Sequence, residues 1–270
     1  MSIISRHLRV SLFYTKLSLI RLIEYPVYLQ NIFLMNLTTA VTGFFVIRVM
    51  FTEFQAIGDW SVAEVSFLYS FNLMTHGIVL VVAQPIWYMG RVILRGDFDL
   101  LLVRPLDTLW LHVSRGVNYM DLANPILAMV MIVYSLAEMG FTATAGNVTG
   151  LVLLLLLCSI IRGALYLVGS TTCFWWRNRE SLKEFSASLM NDIGRYPLTV
   201  YPWVMQFILT FVIPTGFVAF YPASAVLGIE DGLVAGAGVF VAMAIMAVVL
   251  TVGSYLFFRL GLRYYESAGH

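Results

Sequence analysis

The densest group of reactive side chains lies in residues 90–107, GRVILRGDFDLLLVRPLD. Six of them are charged in a chain that is only 11% charged: Arg91, Arg95, Asp97, Asp99, Arg104 and Asp107. Such groups can form charge-assisted hydrogen bonds with another protein. A Gly, a capping-type Asp and an apolar run predict a short helix, and Pro105 predicts its end. We call residues 90–107 the charged segment. It is either a passive connector or a surface on which another protein acts.

Polar side chains also recur at helical spacing inside two apolar stretches. One face of the second stretch carries Tyr69, Asn72, His76, Gln84 and Trp87. In the fourth stretch Arg162 lies near the middle, on a face shared with Cys158, Tyr166, Gly169 and Cys173. A charge at this depth costs several kcal/mol unless it faces a partner or water. Two interpretations stay open: these faces pack against other helices, with Arg162 paired to a carboxylate or to backbone carbonyls, or they line a translocation path.

The sequence lacks the common signatures of catalysis. It contains no G-x-x-x-x-G-K-[ST], H-E-x-x-H, G-x-S-x-G or C-x-x-C motif. Its four histidines are scattered, and Cys158 and Cys173 lie in apolar sequence where neither a metal site nor a disulfide framework is expected. We therefore expect no enzyme activity, metal or cofactor in this chain. Energy for uphill transport would come from an ion gradient or from another polypeptide.

The composition identifies an integral membrane protein. Hydrophobic residues make up 60% of the chain and the mean hydropathy is +0.86, whereas soluble domains are about 45–50% apolar. The net charge of +1 gives no indication of a nucleic-acid partner. The length fits one transmembrane domain over residues 1–270.

Six stretches are apolar over about the length that a membrane span requires. They cover residues 27–51, 62–87, 120–136, 148–175, 200–220 and 233–258. The fold class predicted is therefore all-α, with six transmembrane helices in residues 27–258 and a tail at 259–270. The third stretch is the shortest, and its Asn124-Pro125 pair should kink or delay its helix.

Residues 1–26 are predicted to form an amphipathic helix in the membrane interface, ending at Pro26. Apolar side chains recur along one side of it, and basic ones lie on the other, at Arg6, Arg9, Lys16 and Arg21.

The positions of the basic residues predict the orientation. Positive charge follows the second, fourth and sixth stretches and precedes the first, at Arg6, Arg9, Lys16, Arg21, Arg91, Arg95, Arg104, Arg115, Arg177, Arg179, Lys183, Arg195, Arg259 and Arg263. Because cytoplasmic loops retain positive charge, both termini and the charged segment are expected in the cytoplasm. Arg48 is expected to extend to the outer head groups.

Three passages carry a resemblance to a known family. LRGDFDLLLVRPL at 94–106, EFSASLMNDIGRYPLTVYP at 184–202 and VIPTGFVAFYPASAVLG at 212–228 resemble the bacterial ABC-2 type exporter permeases. The six spans and the helix-bearing loop after the second span are similar as well. This group often occurs as two related permeases that share one ATPase.

The resemblance implies a half-transporter in the bacterial cytoplasmic membrane. It would pair with a second permease, identical or paralogous, and with ABC ATPase subunits that bind ATP and Mg. The loop after the second span would carry a coupling helix over 96–106, formed by Gly96, Asp97, Phe98, Asp99, Leu101, Leu102, Arg104 and Pro105. Its charges would contact the ATPase, while Phe98, Leu101 and Leu102 would fill an apolar groove there.

Expectations for the transport path follow from the same resemblance and from the polar faces. Candidate cavity or gate residues are Tyr69, Asn72, His76, Arg162, Tyr166 and Pro222, the last in an outer hairpin at 221–231. The basic loop at 177–197, helical over 181–193, would contact the ATPase or lie on the membrane surface. The substrate implied is hydrophobic or amphipathic.

Two other classes of function remain. An ion-coupled secondary carrier would need carboxylates at mid-depth, for which Asp121 is the only weak candidate. A membrane scaffold or membrane enzyme would leave the charged segment without a role.

Overall fold

The computed structural model describes residues 3–53, 56–176, 181–229, 234 and 238–266, with the backbone alone for 3–10, 21, 22 and 181. Every secondary-structure element named in these ranges is a helix. The α-helices are α1 Ile3–Glu24, α2 Pro26–Glu53, α3 Val62–Leu94, α4 Asp99–Leu102, α5 Thr108–Ser114, α6 Ala123–Glu138, α7 Ala145–Thr171, α8 Ser181–Asp192, α9 Trp203–Phe207, α10 Phe220–Leu227 and α11 Gly238–Leu262. Short 3-10 turns occupy Tyr119–Leu122, Thr172–Phe174, Ile193–Arg195, Leu198–Val200 and Thr215–Val218, and a π turn occupies Ile208–Val212.

The central helix of the bundle is α3. It packs against α6 and α7, and α7 packs in turn against α11. A capping box starts α3: the Glu64 N–H donates to Ser61 Oγ at 3.4 Å, and the Ser61 N–H donates to Glu64 Oε2 at 2.6 Å. By contrast α2 and α11 expose apolar side chains along most of their length, as lipid-facing helices do.

The bundle has two distinct ends. At one end the charged segment follows α3, and the buried Phe98 ring contacts the rings of Phe174 and Tyr265 at 5.5 and 5.3 Å. At the opposite end Arg48 of α2 pairs with Glu138 of α6, and the Trp60 ring lies 5.6 Å from that of Phe220. We call these the charged end and the Arg48 end.

Five helices of the described chain, rather than six, are long and apolar enough to cross a membrane. They are Pro26–Glu53, Val62–Leu94, Tyr119–Glu138, Ala145–Phe174 and Gly238–Arg263. These correspond to the predicted stretches at 27–51, 62–87, 120–136, 148–175 and 233–258. The prediction of six spans is not confirmed, because residues 200–220 do not form one helix.

Pro214 is the reason that the predicted fifth span breaks. The helix Trp203–Val212 stops before it, since a proline lacks the N–H that continues a helix and disfavours helical geometry at the preceding residue. Ile213 accordingly has φ −123° and ψ 85°. The chain then turns back into α10, and the hydroxyls of Thr210 and Tyr221 hydrogen-bond at 2.7 Å across the hairpin. Pro222 is buried in the first turn of α10, while Glu230 and Asp231 lie outside the described residues.

The predicted cytoplasmic loop at 177–197 is partly helical, as expected, but its predicted location is wrong. Helix α8 lies inside the bundle against α3 and α7, and its continuation reaches Gly58 at the Arg48 end through Thr199 and Val200. Lys183 and Arg195 are therefore not in an end loop. Arg177 and Arg179 lie outside the described residues.

The N-terminal helix exists as predicted, over Ile3–Glu24, and Pro26 begins the next helix. Its position in the membrane interface stays a prediction, as does the orientation of the whole chain. The side chains of Arg6, Arg9 and Arg21 lie outside the described part.

Candidate functional site

Helix α3 is kinked between the charged end and the middle of the bundle. Ala83 has the non-helical angles φ −135° and ψ 32°, two residues before Pro85. Pro85 leaves the carbonyl of Val81 without its usual donor. The backbone N–H of Asn118, in the connection after α5, donates to that carbonyl at 2.8 Å.

A second contact, made by a residue of α5, stabilises the kink. Nε2 of His112 lies 2.8 Å from the Pro85 carbonyl oxygen and donates to it. Burial lowers the pKa of His112 to about 4, with a smaller contribution from Arg115, so the imidazole is neutral at pH 7. A proline inside a predicted span signals that a nearby carbonyl needs a donor, but the sequence does not show that His112 and Asn118 lie close to it.

The charged segment folds differently from the prediction of a helix over 96–106. Helix α3 continues to Leu94, Gly96 turns the chain with φ +78°, and α4 is a single turn. Asp97 does not cap α4, whose N-cap is Phe98 without a side-chain hydrogen bond. The helix is only four residues long. Phe98, which precedes it, is packed in the core, and Pro105 and Leu106 already belong to the connection that leads to α5.

Two of the predicted contact residues face inward. Phe98 and Leu101 are fully buried in the chain's own core, so the prediction that they fill a groove in the ATPase is wrong. Leu100, Leu102 and Val103 are exposed instead, by 63%, 41% and 80%. They form an apolar patch flanked by the exposed Asp97, Arg104 and Pro105. We call Leu100, Leu102 and Val103 the outward patch.

The outward patch is held firmly to the helices behind it. Asp107 accepts a hydrogen bond from the N–H of Trp110 at 2.9 Å, which caps α5, and another from the Tyr255 hydroxyl of α11 at 3.0 Å. Phe98 contacts rings at the ends of α7 and α11. The turn that carries the patch is therefore joined to the ends of α7 and α11 by side-chain contacts.

Four of the predicted cavity residues lie together in a buried polar cluster between α3, α7 and α8. The guanidinium of Arg162, with none of its surface exposed, donates to Asn191 Oδ1 at 2.9 Å, to the Tyr166 hydroxyl at 3.2 Å and to Asn72 Oδ1. His76 Nδ1 and the Tyr166 hydroxyl are 2.9 Å apart. These acceptors of Arg162 are amide and hydroxyl oxygens rather than the carboxylate or backbone carbonyls that one interpretation named.

The same cluster fixes α8. Asn72 Nδ2 donates to the Met190 carbonyl at 2.9 Å, and Lys183 Nζ donates to the Trp87 carbonyl at 3.2 Å. Gly169 permits the approach, because a Cβ there would lie 2.9 Å from the Lys183 Cα. Sequence reasoning missed Asn191 and Met190, since nothing in a short polar stretch indicates that it docks against two apolar helices.

The outer face of α8 carries polar side chains beside the exposed apolar Leu182 and Phe185. Glu184, Ser188 and Asp192 are exposed and recur every four residues. Asp192 keeps 65% of its side chain exposed and pairs with Arg195 at 3.2 Å. Its neighbour Asn191 contacts Arg162, so this ion pair lies at the level of the middle of α7.

Tyr69 and Pro222 lie outside the polar cluster. The Tyr69 hydroxyl is 3.3 Å from the Thr39 and Ala40 carbonyls of α2, and Pro222 is in α10. The roles of all six candidate residues in transport stay predictions. Within the ranges that the structure describes, no three His, Cys, Asp or Glu side chains are placed to hold a metal ion.

Comparison with known proteins decides the family. Residues 37–269 match the family model described as ABC-2 family transporter protein. The chain belongs to this ABC-2 family. The family is generally the membrane component of a transporter and lacks a nucleotide-binding domain of its own, which implies association with ABC ATPases. No curated protein and no solved structure matches the chain. As an ABC-2 family member with five helices suited to crossing a bilayer, it is a multi-pass membrane permease.

Proposed function

We propose that this permease is the membrane subunit of an ATP-driven exporter that moves a hydrophobic or amphipathic substrate out of the bacterial cytoplasm. A separate ABC ATPase would supply the energy, and a second permease, identical or paralogous, would complete the path. The outward patch is the observation that carries this proposal. A polypeptide that only connected two spans would have no need of three exposed apolar side chains on a rigid turn.

The outward patch has the chemistry of a protein contact. Apolar side chains surrounded by charges form the centre and rim of typical interfaces. Asp97 and Arg104 offer charge-assisted hydrogen bonds to the ATPase around Leu100 and Val103. Because Phe98 and Leu101 anchor the same turn in the core, movement of the ATPase would be passed on to α3 and its kink.

The outer face of α8 supports a translocation path in the same molecule. Charged side chains facing hydrocarbon at mid-depth cost several kcal/mol each. Asp192 would avoid that cost by facing a water-filled cleft between two permeases. In this arrangement the buried Arg162 cluster holds α8 in position, and the hairpin of α9 and α10 closes the Arg48 end.

Val103→Asp tests the docking of the ATPase. The permease is co-expressed with an ABC ATPase from its own genome that co-purifies with the wild type, and the complex is purified through a tag on the permease. Placing a charge in the centre of the patch should weaken the complex by about thirtyfold or more, as loss of a hot-spot contact does. Thr142→Asp, exposed at the Arg48 end, is the matched control and should leave the complex intact. Normal recovery and normal coupled ATPase activity with Val103→Asp would contradict the proposal.

A further inference from the structure

A divided cavity at the charged end borders the outward patch at Asp97 and lies apart from the polar cluster. Its first part has a volume of about 650 Å³ and lies where α2 begins, α3 ends and the 3-10 turn Tyr119–Leu122 starts. Its lining includes Arg91, Arg95, Tyr25, Tyr28 and Tyr88. We call this part the basic mouth.

The second part continues from the basic mouth between α2 and α6. It has a volume of about 420 Å³, shares Met120 with the mouth, and is lined almost entirely by apolar side chains, among them Leu29, Phe33, Leu122 and Ile126. We call it the apolar groove. Phe33, Leu122 and Ile126 are 42%, 37% and 56% exposed, so the groove opens sideways to the bilayer.

We propose that the basic mouth and the apolar groove together bind one anionic phospholipid, with its phosphate at Arg91 and Arg95 and one acyl chain between α2 and α6. Both volumes fall within the range of about 300–1,000 Å³ that is typical of ligand sites. The order of the two parts, cationic and then apolar, matches the order of charge and hydrocarbon along a phospholipid.

The two guanidinium groups of the mouth can bind an anion. Arg91, Arg95 and one carboxylate, Asp97, line it, and the Asp121 carboxylate lies next to the lining residues Gln84 and Asn118. The Arg91 guanidinium lies 4.9 Å from the centre of the Tyr88 ring, which orients it over that wall. The Asp121 carboxylate accepts hydrogen bonds from Gln84 at 3.0 Å and from Asn118 at 2.8 Å, so the proposed anion contact rests on the two guanidinium groups and not on an excess of positive charge.

The position of the mouth also fits a lipid head group. Tyr25, Tyr28 and Tyr88 are 53%, 57% and 36% exposed, and tyrosines concentrate at the level where head groups meet hydrocarbon. Basic pockets between transmembrane helices at the cytoplasmic side bind anionic head groups in other membrane proteins. The site would therefore hold α2 and α6 together beside the kink of α3.

The test measures retained lipid on the full-length chain in detergent micelles containing equal amounts of phosphatidylglycerol and phosphatidylcholine. Native mass spectrometry reports which lipid stays bound. Wild type should retain phosphatidylglycerol preferentially, and the double variant Arg91→Gln with Arg95→Gln should weaken that binding by about tenfold or more. Arg259→Gln is the matched control, since Arg259 is exposed and lies over the ring of Tyr255 outside the site. It should behave as wild type.

A second pair of variants tests the acyl-chain part. Ile126→Trp should narrow the groove and reduce retained phosphatidylglycerol, whereas Val130→Trp, on an exposed position one turn further along α6 and outside the lining, should not. Glycerol phosphate has the phosphate but no acyl chains. Added at the same concentration as a competing lipid, it should fail to displace phosphatidylglycerol.

Three results would overturn the proposal: equal retention of both lipids, an equal loss with Arg259→Gln, or displacement by glycerol phosphate alone. The measurement involves neither ATP nor substrate, so its outcome is independent of the exporter proposal.

Discussion

The charged segment and α8 are two short polar stretches that follow long apolar helices, yet they occupy opposite environments. The charged segment stays at the end of the bundle and turns Leu100 and Val103 outward. Helix α8 passes into the bundle and gives Met190 and Asn191 to α3 and α7. The difference lies in the partners: α8 meets Asn72, Arg162 and the small residue Gly169, whereas Phe98 meets aromatic rings at the helix ends.

The comparison teaches that polarity alone does not place a segment outside the membrane region. A polar helix is stable within the bundle when neighbouring helices offer hydrogen-bond partners at the right level. The exposed Asp192 on its outer side then needs water or a polar partner, which is the basis of the path proposed above.

The largest expected effect is in solvent access. Ser188→Cys on α8 should react with a water-soluble maleimide at least tenfold faster than Val248→Cys, an exposed position near the middle of α11 that should face lipid. The native Cys158 and Cys173 are buried and give a low background. Labelling is measured on the complex in membrane vesicles. Equal, slow reaction of both positions would place α8 against lipid or protein and remove its role as a path.

A smaller effect is expected from removing the side chain that holds α8. Arg162→Ala leaves Asn72, Asn191 and the Tyr166 hydroxyl without their donor and opens a cavity. We expect a loss of about 2–4 kcal/mol of stability, measured as thermal unfolding in detergent. Arg48→Ala, which breaks a partly exposed ion pair with Glu138, should cost only about 0–1 kcal/mol. Equal losses for the two variants would show that the cluster does not hold α8.

The smallest effect concerns the close approach of α7 and α8. Gly169→Ala would place a Cβ 2.9 Å from the Lys183 Cα, a backbone atom that has to move. We expect a loss of about 1–3 kcal/mol, typical of overpacking, again from thermal unfolding. Gly163→Ala on the same helix meets nothing within 4 Å and should be neutral or slightly stabilising. If both substitutions proved neutral, the two helices would not be in close contact.

Several features were predictable from residues alone because they depend on local composition. Long apolar runs such as those of α2, α3, α7 and α11 require a membrane, and the family resemblance at 94–106 agrees with the match over residues 37–269. The break at Pro214 was overlooked because the hydropathy of residues 200–220 is high throughout. A single proline changes backbone hydrogen bonding without changing hydropathy.

The candidate site was predictable only in part. Asn72, His76, Arg162 and Tyr166 were chosen for their helical spacing, and they do lie together. Tyr69 and Pro222 do not join them, because spacing within one helix does not show which side chains of another helix lie opposite. Phe98 and Leu101 could not be told from Leu100 and Val103, since one turn of helix is too short to set a periodic pattern.

The sequence by itself determined that this chain lives in a membrane, that it belongs with the ABC-2 permeases and that its charged segment lies between two apolar helices. Only the tertiary structure decided that α8 enters the bundle and that Leu100, Leu102 and Val103 face outward. The physical reason is that hydrophobicity is a property of a segment, whereas a hydrogen bond such as that from Arg162 to Asn191 needs two segments in register.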